Sequence, residues 1–423
     1  MTEYLPRILD ASLAEVLASL PAVAVDGAKA VGKTSTASRV ARSLFALDSE
    51  PTAASVRLDP ALLAQAAHPV LIDEWQRVPS VWDWVRRQVD ASAAPGQYIL
   101  TGSAVPRGAS VHSGAGRMVR LQMRPLSLAE RGIAEPRLSV ADLLMQPDAA
   151  IRAHTDVTLR DYVREITASG FPGIRAHTPT SRPRLLDGYI ATIVDREVPE
   201  QGTMVRRPQA LRSWLRAYAR ATAGTARYEK ILDAAVPEQG DKPAKSTAAA
   251  YRDTLASLWL LDPVPAWTPE GSGLKRLGRT PKHFLVDPAI AARLLRLTEA
   301  RLLTEAGPVP LGPQKGAILG RLFEALVGLS LHTYALSAGA ELFHLRTHDG
   351  SREIDFIVEG DDAIIAVEVK LSATLDDHDV RHLNWLAGAY RDRPVAKIVV
   401  TAGEFAYHRP DGVQVVPAAL LGP

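Results

Sequence analysis

Hydrophobic positions recur along this chain at two spacings, and their order predicts an α/β protein. Ala22 to Val25, Pro69 to Asp73 and Gln97 to Thr101 are apolar runs of strand length, and Lys33 to Leu47 has the spacing of a helix. Strands interleaved with helices imply a parallel sheet covered on both faces. From Pro125 to Glu200 the pattern is mostly helical, broken at Ser169 to Gly173, and Pro208 to Leu261 reads as a compact helical unit. The remainder returns to mixed helix and strand, with alternation at Glu353 to Val358 and Ala363 to Lys370 across a short turn at Glu359 to Asp362. Pro237 to Pro243 and Thr268 to Arg279 read as linkers.

Length and composition narrow this picture. A chain of 423 residues exceeds one ordinary core, so about two to four domains are expected. Cysteine is absent, which excludes disulfides, cysteine-ligated zinc and thiol catalysis and leads to the expectation of a reducing, cytoplasmic setting. No apolar run approaches the roughly 20 residues of a membrane span, and the first residues do not read as a signal peptide. Net charge is +2, close to neutral, but basic residues crowd into Arg206, Arg207, Arg212, Arg216, Arg220 and Arg227.

The candidate chemistry starts after the first apolar run. Gly27-Ala28-Lys29-Ala30-Val31-Gly32-Lys33-Thr34 fits the phosphate-loop pattern, between a predicted strand and a predicted helix. Glycines let the backbone wrap phosphates, and its N–H groups point inward at a helix start, where the dipole favours anions. Lys33 would contact the β- and γ-phosphates of ATP, Thr34 would ligate Mg²⁺, and Ser35 would complete the nucleotide-binding segment. Val70 to Glu74 is an apolar strand ending in two carboxylates. Asp73 would hold Mg²⁺ through its water shell and Glu74 would polarise the attacking water. The third strand ends in Thr101-Gly102-Ser103, where the Ser103 hydroxyl could sense the γ-phosphate.

These motifs, with Gly116-Arg117 and Arg124 to Glu130, resemble a group of prokaryotic AAA-type ATPases that carry a restriction-nuclease-like C-terminal domain. Tyr4 to Arg7, Leu47-Asp48, Ser169 to Gly173, Tyr189 and Asp195-Arg196-Glu197 belong to the same resemblance. One departure is visible: the family's loop usually reads Gly-Pro-Arg-Gln-Val-Gly-Lys-Thr, and Ala28, Lys29 and Ala30 stand in the middle here. The resemblance makes Arg117 the candidate for stabilising transition-state charge. It also implies a winged-helix fold for the middle of the chain, with Lys242, Lys245, Tyr251 and Arg252 as contacts to DNA.

Near the C-terminus, Asp355 and Glu368 on two strands, Lys370 on the same face as Glu368, and Glu324 on an upstream helix form the constellation of restriction-type nucleases. The expected organisation is an AAA-type core at 1–135, a helical lid at 136–205, a winged-helix-like module at 206–270 and a nuclease-like α/β domain at 271–423. Two functions remain open. One is Mg-dependent ATP hydrolysis coupled to nucleic-acid binding or processing. The other is a nucleotide-switched regulatory protein with a protein partner and a degenerate nuclease fold.

Overall fold

The computed structural model describes residues 4–104, 116–235, 244–269, 277–305 and 316–423, so Pro237 to Pro243 and much of Thr268 to Arg279 lie outside the described residues. Strands β1 (Ala22–Asp26), β2 (Ser43–Ala46), β3 (Val70–Asp73), β4 (Tyr98–Gly102) and β5 (Met118–Gln122) form a sheet in the order β2-β3-β4-β1-β5. Every neighbouring pair is parallel. All C-terminal strand ends therefore share one edge, and β1, β3 and β4 deliver Gly27, Glu74 and Ser103 to it.

Alternation along each strand feeds two cores. Val23 and Val25 pack with Leu9 and Leu13 of the helix Leu9–Ser19, whereas Ala22 and Ala24 pack with Trp82 and Val85 of the helix Ser80–Ala91. The helix expected over Lys33 to Leu47 ends at Ala37, and Ser43–Ala46 is instead the edge strand β2. Val40, Leu44 and Leu47 have helical spacing, yet Leu44 is exposed on that edge and pairing with β3 decides the conformation.

The second sheet has seven strands. β8 (Glu341–Arg346), β9 (Glu353–Glu359) and β10 (Ile364–Lys370) form an antiparallel meander, and β11 (Val395–Thr401) joins β10 in parallel. β13 (Gln414–Pro417) continues the parallel half, with β12 (Phe405–His408) antiparallel beside it. The helix Gly316–Ser337 precedes β8 and the helix Asp377–Ala389 connects β10 to β11. Ile365 and Val367 of β10 share a core cluster with Leu9, Val23 and Leu121, so each sheet turns one face to a common interior.

Strand pairings cross two of the expected boundaries. β6 (Leu138–Ser139) pairs with β14 (Leu421–Gly422), and β7 (Ala153–His154) is the edge strand beside β12. The start of the expected lid at 136–205 thus completes C-terminal structure. The boundary at 270/271 separates residues joined by the antiparallel bridges Leu261↔Leu285 and Val264↔Lys282. Those bridges lie beside the helices Pro208–Arg220, Tyr228–Ala234 and Lys245–Ser257. Among the described residues no helix is long and apolar enough to cross a membrane.

Candidate nucleotide site and a buried carboxylate cluster

The loop after β1 has the backbone a phosphate cradle needs. Gly27 has φ +154°, and a Cβ there would lie 2.1 Å from the carbonyl oxygen of Met123, so no side chain fits. Gly32 (φ 106°) and Ala30 (φ 68°) are left-handed; for Ala30 this conformation costs about 1–2 kcal/mol, local strain held by the surrounding loop. The helix then starts at Lys33. Lys33 is buried, and its Nζ donates to the carbonyls of Gly27 at 2.9 Å and Ala28 at 3.0 Å, which fixes the ammonium inside the loop. Burial pushes this ammonium below its ordinary pKa, and Glu74, Asp73 and Asp26 offset only part of that effect. An anion would be drawn to such a poorly solvated cation.

β3 and β4 bring the acidic pair to the same edge. Thr34 Oγ1 donates to Asp73 Oδ1 at 2.8 Å, and the Thr101 hydroxyl donates to the same oxygen. Glu74 leaves the strand in a left-handed conformation (φ 55°). Its carboxylate accepts from Ser103 Oγ at 2.8 Å and from Gln76 Nε2, while Gln76 also donates to Ser103 at 3.0 Å. Gln76 was missed in the sequence, where nothing distinguishes it from any polar residue after a strand. Gly102 between the two hydroxyl residues is dictated by packing: a Cβ would lie 2.7 Å from Trp75 Nε1. A cavity of about 690 Å³ is lined by Gly32 to Thr36, Glu74, Tyr4, Pro172 and Arg175, a size suited to a nucleotide. Oxygen donors at Thr34 and Asp73 are the hard ligands Mg²⁺ takes, so these residues fit that ion.

Arg117 does not join this site. It immediately precedes β5, and Met118 is in register with Ala22 at the start of β1, whereas the loop follows Asp26 at its end. The five residues of β1 set Arg117 roughly 15 Å from its own phosphate loop. Its guanidinium pairs with Asp90 instead. Lys29 meets Glu197 at 2.7 Å, and Tyr189 donates to its carbonyl at 3.3 Å. The loop is thereby tied to the segment after the helix Arg182–Thr192.

The remaining motif residues form a buried frame. Arg7 donates to the carbonyls of Val31 (2.9 Å) and Arg124 (2.6 Å) and pairs with Glu130 at 2.9 Å, both side chains nearly inaccessible. Arg124 forks onto Asp262 at 2.7 and 3.0 Å. Burial alone would raise the pKa of Asp262, but Arg124 holds it at about 2. Ser169 Oγ and Gly170 N donate to Asp287 at 2.6 and 2.7 Å. At Gly170 a Cβ would meet Arg131, Leu126 and Pro125 within 3 Å.

The C-terminal constellation comes together around a residue that was not anticipated. Lys282, fully buried, places Nζ 2.7 Å from Glu324, 2.8 Å from Asp355 and 3.7 Å from Glu353. Burial would lower the pKa of this ammonium, but the carboxylates outweigh it and hold Lys282 above its ordinary value. Asp355 Oδ2 accepts from Val369 N at 2.9 Å, and Lys370 pairs with Glu368 at 3.2 Å and Asp379 at 3.5 Å. Burial followed by Asp355 repulsion pushes Glu324 up to about 8 and Glu368 up to about 9. The expected metal set is therefore knit around an internal cation, and these residues do not fit a divalent ion while Lys282 holds two of them directly. The one signal for Lys282 was a lysine opening the apolar run Phe284 to Val286.

Of the expected DNA contacts, Tyr251 is buried and cannot serve as one. Arg252 lies over the Tyr228 ring at 4.8 Å and pairs with Asp253, Lys245 is exposed, and Lys242 lies outside the described residues.

Three family models match separate parts of the chain. Residues 19–131 match the model of an AAA domain, 159–301 that of a domain of unknown function (DUF8612), and 319–421 that of a domain of unknown function (DUF4143). An uncharacterized protein of Mycobacterium tuberculosis and one of Mycobacterium bovis are each 26% identical over 417 residues, covering 96% of this chain and 82% of theirs. Among solved structures, a Walker-type ATPase of Pyrococcus abyssi is similar at 14% identity with a TM-score of 0.36, over 68% of this chain and 94% of that one. Residues 19–131, which hold the phosphate loop and the acidic strand, are thus similar to AAA domains, and residues 319–421 are similar to the DUF4143 domain.

Proposed function

We propose that the protein hydrolyses Mg-ATP at the edge formed by β1, β3 and β4. The loop Gly27 to Thr34, with Ser35, binds the phosphates, and Lys33 neutralises charge on the β- and γ-phosphates. Thr34 and Asp73 would hold Mg²⁺, which when bound offsets charge on the phosphate oxygens. Glu74 accepts the proton of the attacking water, while Ser103 and Gln76 fix its carboxylate. The observation that carries this reading is the setting of Glu74: it lines the same cavity as Lys33, and its side-chain hydrogen bonds come from an uncharged hydroxyl and amide. A titration of ATP onto wild type and Lys33→Ala tests it. Wild type should bind and the variant should not; micromolar affinity retained by Lys33→Ala would count against the assignment.

We further read the three middle helices and their bridges as a winged-helix-like module. The helix–meander–helix–strand order of the C-terminal unit supports a restriction-nuclease-like fold, with Lys282 favouring a structural cluster over metal-assisted hydrolysis. Coupling between the ATPase edge and this unit would run through the Arg7–Glu130 and Arg124–Asp262 pairs. Leu128 N and Ala129 N, which donate to Ser330 and Tyr334 of the helix Gly316–Ser337, would extend that path. Hydrogen exchange with and without ATP checks this reading: protection should rise at Leu126 to Glu130 and at Leu326 to Tyr334, and no change there would remove the coupling.

A further inference from the structure

A second large cavity, about 890 Å³, lies where the middle module meets the end of β8. Its wall carries Arg227, Lys230, Arg279 and Arg346 together with His344 and His348, and no acidic side chain lines it. Arg227, Lys230, Arg279 and His348 are exposed, and among the described residues the first three have no carboxylate partner. Arg346 is held in place: it donates to Thr225 Oγ1 at 2.7 Å and meets Glu353 at 3.4 Å, the carboxylate that also faces Lys282. His344 stays neutral, because burial and then the neighbouring Lys282 push it down to about 4, so the permanent charge comes from the four lysine and arginine side chains.

From this arrangement we propose that the cleft binds the phosphate backbone of a nucleic acid. Concentrated cationic charge with threonine hydroxyls at Thr225, Thr280 and Thr347 is the chemistry that takes phosphodiester oxygens. No tryptophan, tyrosine or phenylalanine lines the wall, so stacking on a large aromatic ring does not contribute and the charged side chains carry the binding. The volume exceeds what a single phosphate needs, and the cations stand on three chain segments, so the cleft engages consecutive phosphates rather than one anion. Binding is then electrostatic and indifferent to sequence. The basic run seen in the sequence contributes Arg227 alone to this cleft; Arg212, by contrast, is spent on Asp195.

The test uses the full chain without ATP and a labelled mixed-sequence DNA duplex, with anisotropy read from 50 to 200 mM salt. Four neutralised phosphates give a slope of log K against log salt near about −3.6, a loss of roughly 150-fold over that range. Arg227→Ala/Lys230→Ala/Arg279→Ala should reduce the slope to about −0.9 and the loss to roughly 3- to 4-fold, with ATP hydrolysis and melting temperature unchanged. Single Arg279→Glu, a surface change, should weaken binding in the same direction. Wild-type binding that is absent at 50 mM salt, or a triple variant that binds DNA as wild type does, would overturn the proposal. So would anionic lipid vesicles that bind more tightly than DNA and lose that binding in the triple variant. Because nucleotide is left out, failure of the ATPase reading would leave this result untouched.

Discussion

Two strand ends in this molecule gather carboxylates, and they differ in what neutralises them. At the end of β3, Asp73 and Glu74 accept hydrogen bonds from Thr34, Thr101, Ser103 and Gln76, all uncharged, with Lys33 held inside the neighbouring loop. On β9 and β10, Asp355 and Glu368 lie with Glu324 in a pocket where Lys282 and Lys370 are already in contact. Polar but neutral surroundings leave room for a cation that arrives with the substrate. A buried lysine already in contact closes that possibility and turns the same residue types into an internal ion-pair cluster. Carboxylate spacing is therefore a poor guide to metal chemistry until the compensating charge has been located.

Removing Lys282 breaks the comparison most directly. Lys282→Ala removes the buried cation that Glu324, Asp355 and Glu353 share, and it should cost about 3–5 kcal/mol in a urea unfolding experiment. ATP affinity should stay that of wild type; a loss below about 1 kcal/mol would mean that the cluster is not held by this residue. The pH dependence follows from the raised carboxylates. Their folded-state values, about 8 and 9, lie above the ordinary 4.5, so the folded state holds protons that the unfolded chain releases. Stability is then lost as pH rises from about 4.5 towards 8–9. The Lys282 contribution, whose pKa is also raised, stays in place across that window. Urea midpoints at pH 5.5 and 8.5 should show this decline, and Glu324→Gln should flatten it; an unchanged slope in the variant would assign the effect elsewhere.

A metal titration sharpens the contrast. Millimolar Mg²⁺ should leave the melting temperature of nucleotide-free wild type unmoved, whereas Lys282→Ala should gain about 1.4 kcal/mol at roughly ten times the dissociation constant. A metal-dependent rise in wild type would restore the nuclease reading. The smallest effect is expected at the other site. Ser103→Ala removes one hydrogen bond from Glu74 and should cost about 0.5–1.5 kcal/mol of barrier, roughly 2- to 12-fold in turnover, with ATP binding intact.

Legibility in the sequence followed the range of the interactions. The phosphate loop, β3 and β4 were readable because backbone glycines, an apolar run and a terminal acid are local signals. Arg124 to Glu130, Ser169-Gly170 and Tyr4 to Arg7 were visible as motifs, but their purpose is a set of contacts spanning more than 100 residues, such as Arg7 to Glu130 and Ser169 to Asp287. The role of Lys282 was hidden for the same reason, since its partners are 42 and 73 residues away. Arg117 was misplaced because a motif gives order along the chain and not the direction of a strand. β2 was taken for helix because its inward and outward positions coincide with helical spacing over so few residues.

The central claim, hydrolysis of ATP by Glu74 beside the phosphate loop, is tested most directly by single-turnover ATP hydrolysis with Mg²⁺ in wild type and Glu74→Gln. The amide preserves the contact with Ser103 and removes the base. The variant should bind ATP as wild type does and release phosphate on the order of 10²-fold more slowly or worse. Equal rates in the two proteins would contradict the account.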